Sequence, residues 1–221
     1  MKVNEALLAR KSVRSFLNKE VEEEKIMHIL ESAKYSPSST NMQPWEVCVV
    51  RGKTKKNLNE KILKAFDRGQ KEEMDYQYYP DKWKEPFKSR RIAVGREMYS
   101  ILKIEREDKE SRIKQWRTNY SAFNAPIVLY FFMDSSLKGG SYLDYGMFLQ
   151  SIMLASVELG LGCCSMGSLA EYPSIVKETL GVDNNKILLC GMALGYEDTD
   201  APINSFRTQR ASLNEFVAFY A

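Results

Sequence analysis

Apolar residues recur at helical spacing in several stretches of the chain. Val3, Ala6 and Leu7, with Arg10 on a related face, predict a short helix over residues 3–10. Ile26, Ile29, Leu30 and Ala33 predict a second helix over 21–34, and Leu58, Ile62, Ala65 and Phe66 a third over 54–67. Pro173 followed by "SIVKETLG" predicts a short helix over 173–180, with Gly181 as its stop. Strand patterns lie between these helices. "WEVCVV" (45–50) alternates, is rich in β-branched residues and is broken by Gly52. "APIVLYFFM" (125–133) and "KILLCGMALGY" (186–196) are apolar enough to be buried strands. "SYLDYGMFLQSIMLASVELGLG" (141–162) predicts a long helix that is apolar almost all round. A helix with no polar face needs cover on most sides. In a chain of this size the second cover is expected to be another subunit.

Two stretches break the pattern. "SPSSTNMQP" is a Ser/Asn/Pro cluster that predicts a loop. Residues 68–118 are crowded with charge, carry the aromatic run "YQYYPDKWKEPF" and are interrupted by Pro80 and Pro86. Their later part, roughly 90–116, predicts an amphipathic helix. Apolar residues are too sparse here for an independent core, so the segment is expected to be an excursion from a single domain spanning residues 1–221. "LNEFVAFY" closes the chain, and no internal repeat is visible.

Composition narrows the function. Hydrophobic residues make up 44% of the 221, which predicts a globular fold. Lys and Arg number 32 against 29 Asp and Glu, a net charge of +3. That balance argues against a dedicated nucleic-acid binder but allows a local pocket for a small anion. The four cysteines form no C-x-x-C, and with one histidine in the chain a structural zinc site is not expected. Adjacent Cys163 and Cys164 fit either a strained redox pair or two small apolar residues in a reducing compartment. The N-terminus lacks the apolar core of a signal peptide, and no apolar run reaches about 18 residues, so a cytoplasmic protein with no membrane contact is expected. The single histidine, His28, falls in the second helical pattern and reads as a helix-surface residue, so no histidine-based catalytic device is expected.

Four features carry candidate chemistry. In "RKSVRSF", Arg10, Lys11, Ser12 and Arg14 gather at a helix end. They suit either an anion, through the planar fork of Arg, or solvent, since cations favour a helix C-terminus anyway. Ser36, Ser38, Ser39, Thr40, Asn41 and Gln43, stiffened by Pro37 and Pro44, suit either the polar edge of a heterocycle or ordinary turn chemistry. "LGLGCCSMGSL" contains Gly160-x-Gly162-x-x-Ser165 but lacks the third glycine. It also follows a helix rather than a strand, so a dinucleotide fingerprint is rejected. Its small residues permit close backbone approach or a turn. Arg207 and Arg210 in the tail would complete an anion site if they met "RKSVR" in space, and are otherwise surface cations.

Taken together, "RKSVRSF", "SPSSTNMQPWEVCVV", the Gly-rich turn after a buried helix and "GMALGY…R…R" resemble the FMN-dependent nitroreductase family along essentially the whole chain. "YYPDKWKEPF…RR" and "LDYGMFLQSIMLA" resemble its nitrobenzoate, nitrobenzene and chloramphenicol branch. The resemblance implies an α+β three-layer sandwich, with a mainly antiparallel central sheet flanked by helices, built as an intertwined homodimer. It implies bound FMN, with NADH or NADPH as electron donor and a nitroaromatic or quinone-like acceptor, reduced in a two-electron ping-pong cycle. No catalytic side chain is implied, because FMN carries the chemistry. Arg10, Lys11, Ser12 and Arg14 are implied at the phosphate and pyrimidine side of FMN, and Pro37, Ser38, Ser39 and Asn41 reach it from the other subunit. The turn at Gly167 and Ser168 would offer a backbone N–H to flavin N5, Arg210 would meet the phosphate and Arg207 would lie near it. The family's frequent acidic residue near the Gly167 position is absent. The excursion would cover the flavin, and Tyr76, Tyr78, Tyr79, Trp83 and Phe123 either stack on a flat substrate or pack the excursion onto the core. The same flavin site would also suit a reductase of quinones, activated alkenes or halophenols, or a non-enzymatic flavin-binding redox sensor.

Overall fold

The computed structural model describes residues 1–221. Four strands form one antiparallel sheet in the order β1-β2-β4-β3: β1 (Glu46–Arg51), β2 (Ile127–Asp134), β3 (Gly162–Met166) and β4 (Lys186–Gly195). Seven α-helices surround it: α1 (Val3–Ala9), α2 (Glu23–Ala33), α3 (Gly52–Asp67), α4 (Phe87–Ile101), α5 (Lys109–Arg117), α6 (Gly139–Glu158) and α7 (Pro173–Leu180).

The three layers follow from the strand period of two. In β2, Val128, Tyr130 and Phe132 join Leu58 and Ile62 of α3 and Val176 of α7 in one core. Ile127, Leu129, Phe131 and Met133 face the other way and join Ile26 and Ile29 of α2 with Phe148 and Ile152 of α6. Both faces of β2 are therefore buried, which is why its sequence is a continuous apolar run. Removing one such ring, as in Phe131→Ala, should cost about 3–5 kcal/mol.

Two expectations need correction. The long helix ends at Glu158, and its expected last residues instead form a turn and the start of β3. "GCCSM" carries no β-branched residue and becomes a strand through its partners: it pairs with residues 191–195 of β4, and Ser12 bridges to Cys163 on its outer edge. Gly162 has a structural reason, since a Cβ there would come within 2.6 Å of Val13. The excursion holds two helices rather than one, and neither α4 nor α5 has a buried residue. No helix is long and apolar enough to cross a membrane.

β4 carries a bulge. Phe131 pairs with Cys190 and Phe132 with Leu188, so Leu189 has no partner in β2. β3 reaches only as far as Gly191, and the Leu188–Leu189 edge beyond it is left to side chains of the excursion.

Candidate functional site

The chain after α1 runs along the outer edge of β3 and then along the end of β4. The Val13 N–H donates to the Cys163 carbonyl (3.0 Å), Leu17 N–H to Tyr196 (2.9 Å) and Asp198 N–H to Ser15 (3.1 Å). The organiser is Asn204, 2% exposed. Its Oδ1 accepts the Arg14 N–H at 2.8 Å, and its Nδ2 donates to the carbonyls of Ser15 and Asp198, each at 2.8 Å. This fully satisfied amide joins residues 14–15 to the segment after β4. Nothing in "APINSFR" marks that role, because an Asn in a turn is commonplace.

The result is a pocket of about 260 Å3 lined by Arg10, Lys11, Ser12, Arg14, Arg207 and Arg210, with Leu7 and Phe206 among its walls. Residues from both ends of the chain thus form one cationic cavity. Its cations are not equivalent. Lys11 is paired with Glu197 (2.6 Å) and donates to the Asn204 carbonyl (2.7 Å). The Arg207 guanidinium donates to the carbonyls of Leu8, Ala9 and Arg10, capping the end of α1. The Arg14 guanidinium touches only the Ser12 carbonyl (3.3 Å) and the face of Phe206 (5.8 Å to the ring centre). Arg210 reaches only its neighbours Thr208 and Gln209. Arg10, Arg14 and Arg210 have no carboxylate partner, which suits a doubly charged oxyanion. At this size the cavity is large enough for the anionic end of a ligand and smaller than the roughly 300–1,000 Å3 of whole small-molecule pockets.

Residues 37–41 lie elsewhere. The loop rests on α6: the Ser39 N–H donates to Asp144 Oδ1 (3.1 Å), Ser36 Oγ–H to Ser151 Oγ (2.7 Å), and Gln43 N–H to Ser38 Oγ (2.9 Å). Thr40, Asn41 and Gln43 have φ of 48°, 56° and 51°, a tight left-handed path. None of Pro37, Ser38, Ser39 or Asn41 lines the cationic pocket. Asp144 is buried, and its Oδ2 has no hydrogen-bond partner within the chain. Sequence reasoning passed over it, although it is the one acid in the apolar run from Ser141 to Val157.

Gly167 and Ser168 open the short 3-10 turn that follows β3. The ring of Tyr78 lies on this turn, so that a Cβ at position 167 would come within 2.6 Å of it. Rings then follow one another outward. Tyr142 and Tyr76 are 5.3 Å apart, Tyr76 and Tyr78 5.9 Å, Tyr78 and Tyr79 4.7 Å, and Tyr79 and Trp83 5.7 Å. Phe123 is not among them. It lies in the core beside Tyr120 and Ala122, at φ 53°, because it belongs to the turn that leads into β2. A larger groove of about 950 Å3, between α4 and α5, contains none of the candidate cofactor or substrate residues.

The thiols of Cys163, Cys164 and Cys190 are buried. Cys163 faces one core and Cys164 the other, as alternate residues of β3 must, so they form no disulfide. Burial pushes Cys163 and Cys190 up to about 12. Burial also raises Cys164, opposed by nearby Arg14, Ser12 and Arg10. Tyr78 is raised by burial and by its neighbour Tyr79.

With this geometry established, the relatives can be set beside it. A model of the nitroreductase family matches residues 7–196. The 4-nitrobenzoate reductase of Nocardioides sp. (strain LMS-CY) is 33% identical over 213 residues, 95% of this chain and 86% of its own. The FMN and NADPH-dependent nitroreductase NfnB of Sphigopyxis sp. strain HMH superposes with a TM-score of 0.97 at 34% identity over 100% of both chains. The FMN-dependent nitroreductase NfnB of Mycobacterium smegmatis, solved with NADPH, gives 0.94 at 30% identity, covering 99% of this chain and 97% of that one. The fold, an antiparallel sheet between two helical layers with a cationic cavity at one end, defines a class, and this chain belongs to the nitroreductase family.

Proposed function

We propose that this protein is an FMN-dependent NAD(P)H oxidoreductase that reduces nitroaromatic compounds, working as a homodimer. The observation that carries the reading is the cationic pocket. Arg10, Arg14 and Arg210, gathered from opposite ends of the chain, have no carboxylate partner and a cavity sized for a phosphate. The FMN and NADPH dependence of similar enzymes supports it.

In this reading Arg10, Arg14, Arg210 and Ser12 hold the phosphate end, while Lys11, although paired with Glu197, adds positive potential. The Gly167–Ser168 turn presents backbone donors to the flavin ring. The loop 37–41 comes from a second copy, because in its own chain it does not border the pocket. The apolar stripe of α6 that carries exposed Leu143 and Met147 is the surface such a copy would cover. Bound there, FMN would supply the hydride-transfer chemistry between NAD(P)H and the acceptor. The residues bind, orient and shape access: the cations favour negative charge, and the excursion, with Tyr76, Tyr78, Tyr79 and Trp83, excludes water and offers flat surfaces to a ring.

The purified protein, expected to be yellow, tests the reading. NADPH or NADH added without oxygen should bleach it, and a nitroarene such as 4-nitrobenzoate should restore the colour. A colourless protein that takes up no FMN overturns the proposal. Bleaching that only quinones reverse would keep the flavin and replace the acceptor.

A further inference from the structure

We propose that Asp75 and Lys177 are positioning residues that latch the start of the excursion to the bulge of β4 and so set where the Tyr78 ring stands over the Gly167 turn. The inference rests on the function proposed above, in which that turn faces the flavin.

Residues 71–83 make no backbone–backbone hydrogen bond, so side chains alone fix their path. Three elements meet at one carboxylate. Asp75 Oδ1 and Oδ2 lie 2.9 and 2.8 Å from Lys177 Nζ on α7, and Oδ2 also accepts the Leu188 N–H of β4 at 2.7 Å. The Lys177 side chain is only 8% exposed, and Asp75 is its sole carboxylate. The Tyr76 hydroxyl donates to the Leu189 carbonyl at 2.7 Å. Asp75 and Tyr76 thus occupy the two backbone groups that the bulge and the short β3 leave open, groups that would be costly to bury alone.

Tyr78 follows two residues later and is held differently. Its hydroxyl makes no hydrogen bond within the chain, and its ring is located by Tyr76, by Tyr79 and by the bare Cα of Gly167. Its place is therefore inherited from the latch. A ring shifted by about an ångström changes the gap available to a flat acceptor, and such misplacement weakens orientation more than it weakens the fold.

The test compares Asp75→Asn, Tyr78→Ala and the double variant, with FMN affinity, KM for 4-nitrobenzoate and kcat as readouts. Wild-type protein that binds no FMN and turns over no nitroarene sinks the function above, not the latch. With an active wild type, Asp75→Asn should raise KM about tenfold with FMN affinity unchanged, and should add nothing in the Tyr78→Ala background. Unchanged KM, or effects of the two substitutions that multiply, would overturn the proposal. If Asp75→Asn does not fold, Tyr76→Phe removes one hydroxyl and should raise KM about threefold, again only while Tyr78 is present. An unaltered KM in Tyr76→Phe would equally overturn the latch.

Discussion

Residues 10–14 are cationic and residues 37–41 neutral and polar, yet each segment hangs on one buried side chain. For the first this is Asn204, whose oxygen and nitrogen are all partnered. For the second it is Asp144, which holds the Ser39 N–H with one oxygen and leaves the other without a partner. The first segment closes a pocket within its own chain. The second lies on α6, whose outward stripe still exposes Leu143 and Met147. Buried polar groups are nearly always paired, so in the function proposed above the first segment would serve its own chain's site and the second a partner copy's.

The largest test of that contrast is to keep chains apart. Leu143→Glu with Met147→Glu places two charges on a stripe that is exposed in the single chain, so folding should change by less than about 1 kcal/mol. An apolar interface would reject them by several kcal/mol. Gel filtration should report a monomer, and the protein should lose its flavin. A yellow monomer would show that one chain suffices.

Next in size is Asn204→Ala, which strips partners from the Arg14 N–H and from the carbonyls of Ser15 and Asp198. Denaturant unfolding should show a loss of about 2–4 kcal/mol, with weaker FMN binding. Stability unchanged within error would mean that water replaces the amide.

Smaller, and confined to binding, is the difference among the arginines. Arg14→Ala or Arg210→Ala should weaken FMN binding by about 1.5–3 kcal/mol, roughly 10- to 150-fold by fluorescence titration. Arg207→Ala should weaken it far less, because its donors already cap α1, and should instead lower stability by about 0.5–1 kcal/mol. Equal losses at positions 207 and 14 would place the phosphate nearer the helix end.

The smallest effect is on pH dependence. Glu22 is held at about 2, below the usual carboxylate range, first by the hydroxyl of Tyr196 (2.6 Å) at the end of β4 and then by its own backbone and Lys25. A depressed carboxyl contributes stability above its unfolded value of 4.5, and that contribution fades as pH falls toward 2. Tyr196→Phe should flatten acid unfolding in this window. An unaltered profile would assign acid sensitivity to other carboxylates.

Legibility varied along the chain for physical reasons. β2 and β4 were visible because burial on both faces forces a continuous apolar run. β3 was not, because "GCCSM" has no strand preference of its own and is held by β4 and Ser12. The excursion read as one helix because charge patterns do not show the break between α4 and α5. Phe123 is as aromatic as Tyr76 or Trp83, but its turn carries it into the core. Asp75 and Lys177 carried no sequence signal, since an acid and a base about a hundred residues apart are unremarkable until a bulge brings them together.

Read alone, the sequence located α2, α3, α6 and α7 and the strands β1, β2 and β4, since their periods are local consequences of 3.6 and 2 residues per repeat. It also supplied every cation of the pocket. Only the tertiary structure decided which of them are free. Lys11 is matched to Glu197, Arg207 is drawn under the carbonyls of α1, and Arg10, Arg14 and Arg210 keep their charges unopposed. The reason is distance: whether a charge is neutralised depends on neighbours within a few ångströms, and here those neighbours come from the opposite end of the chain.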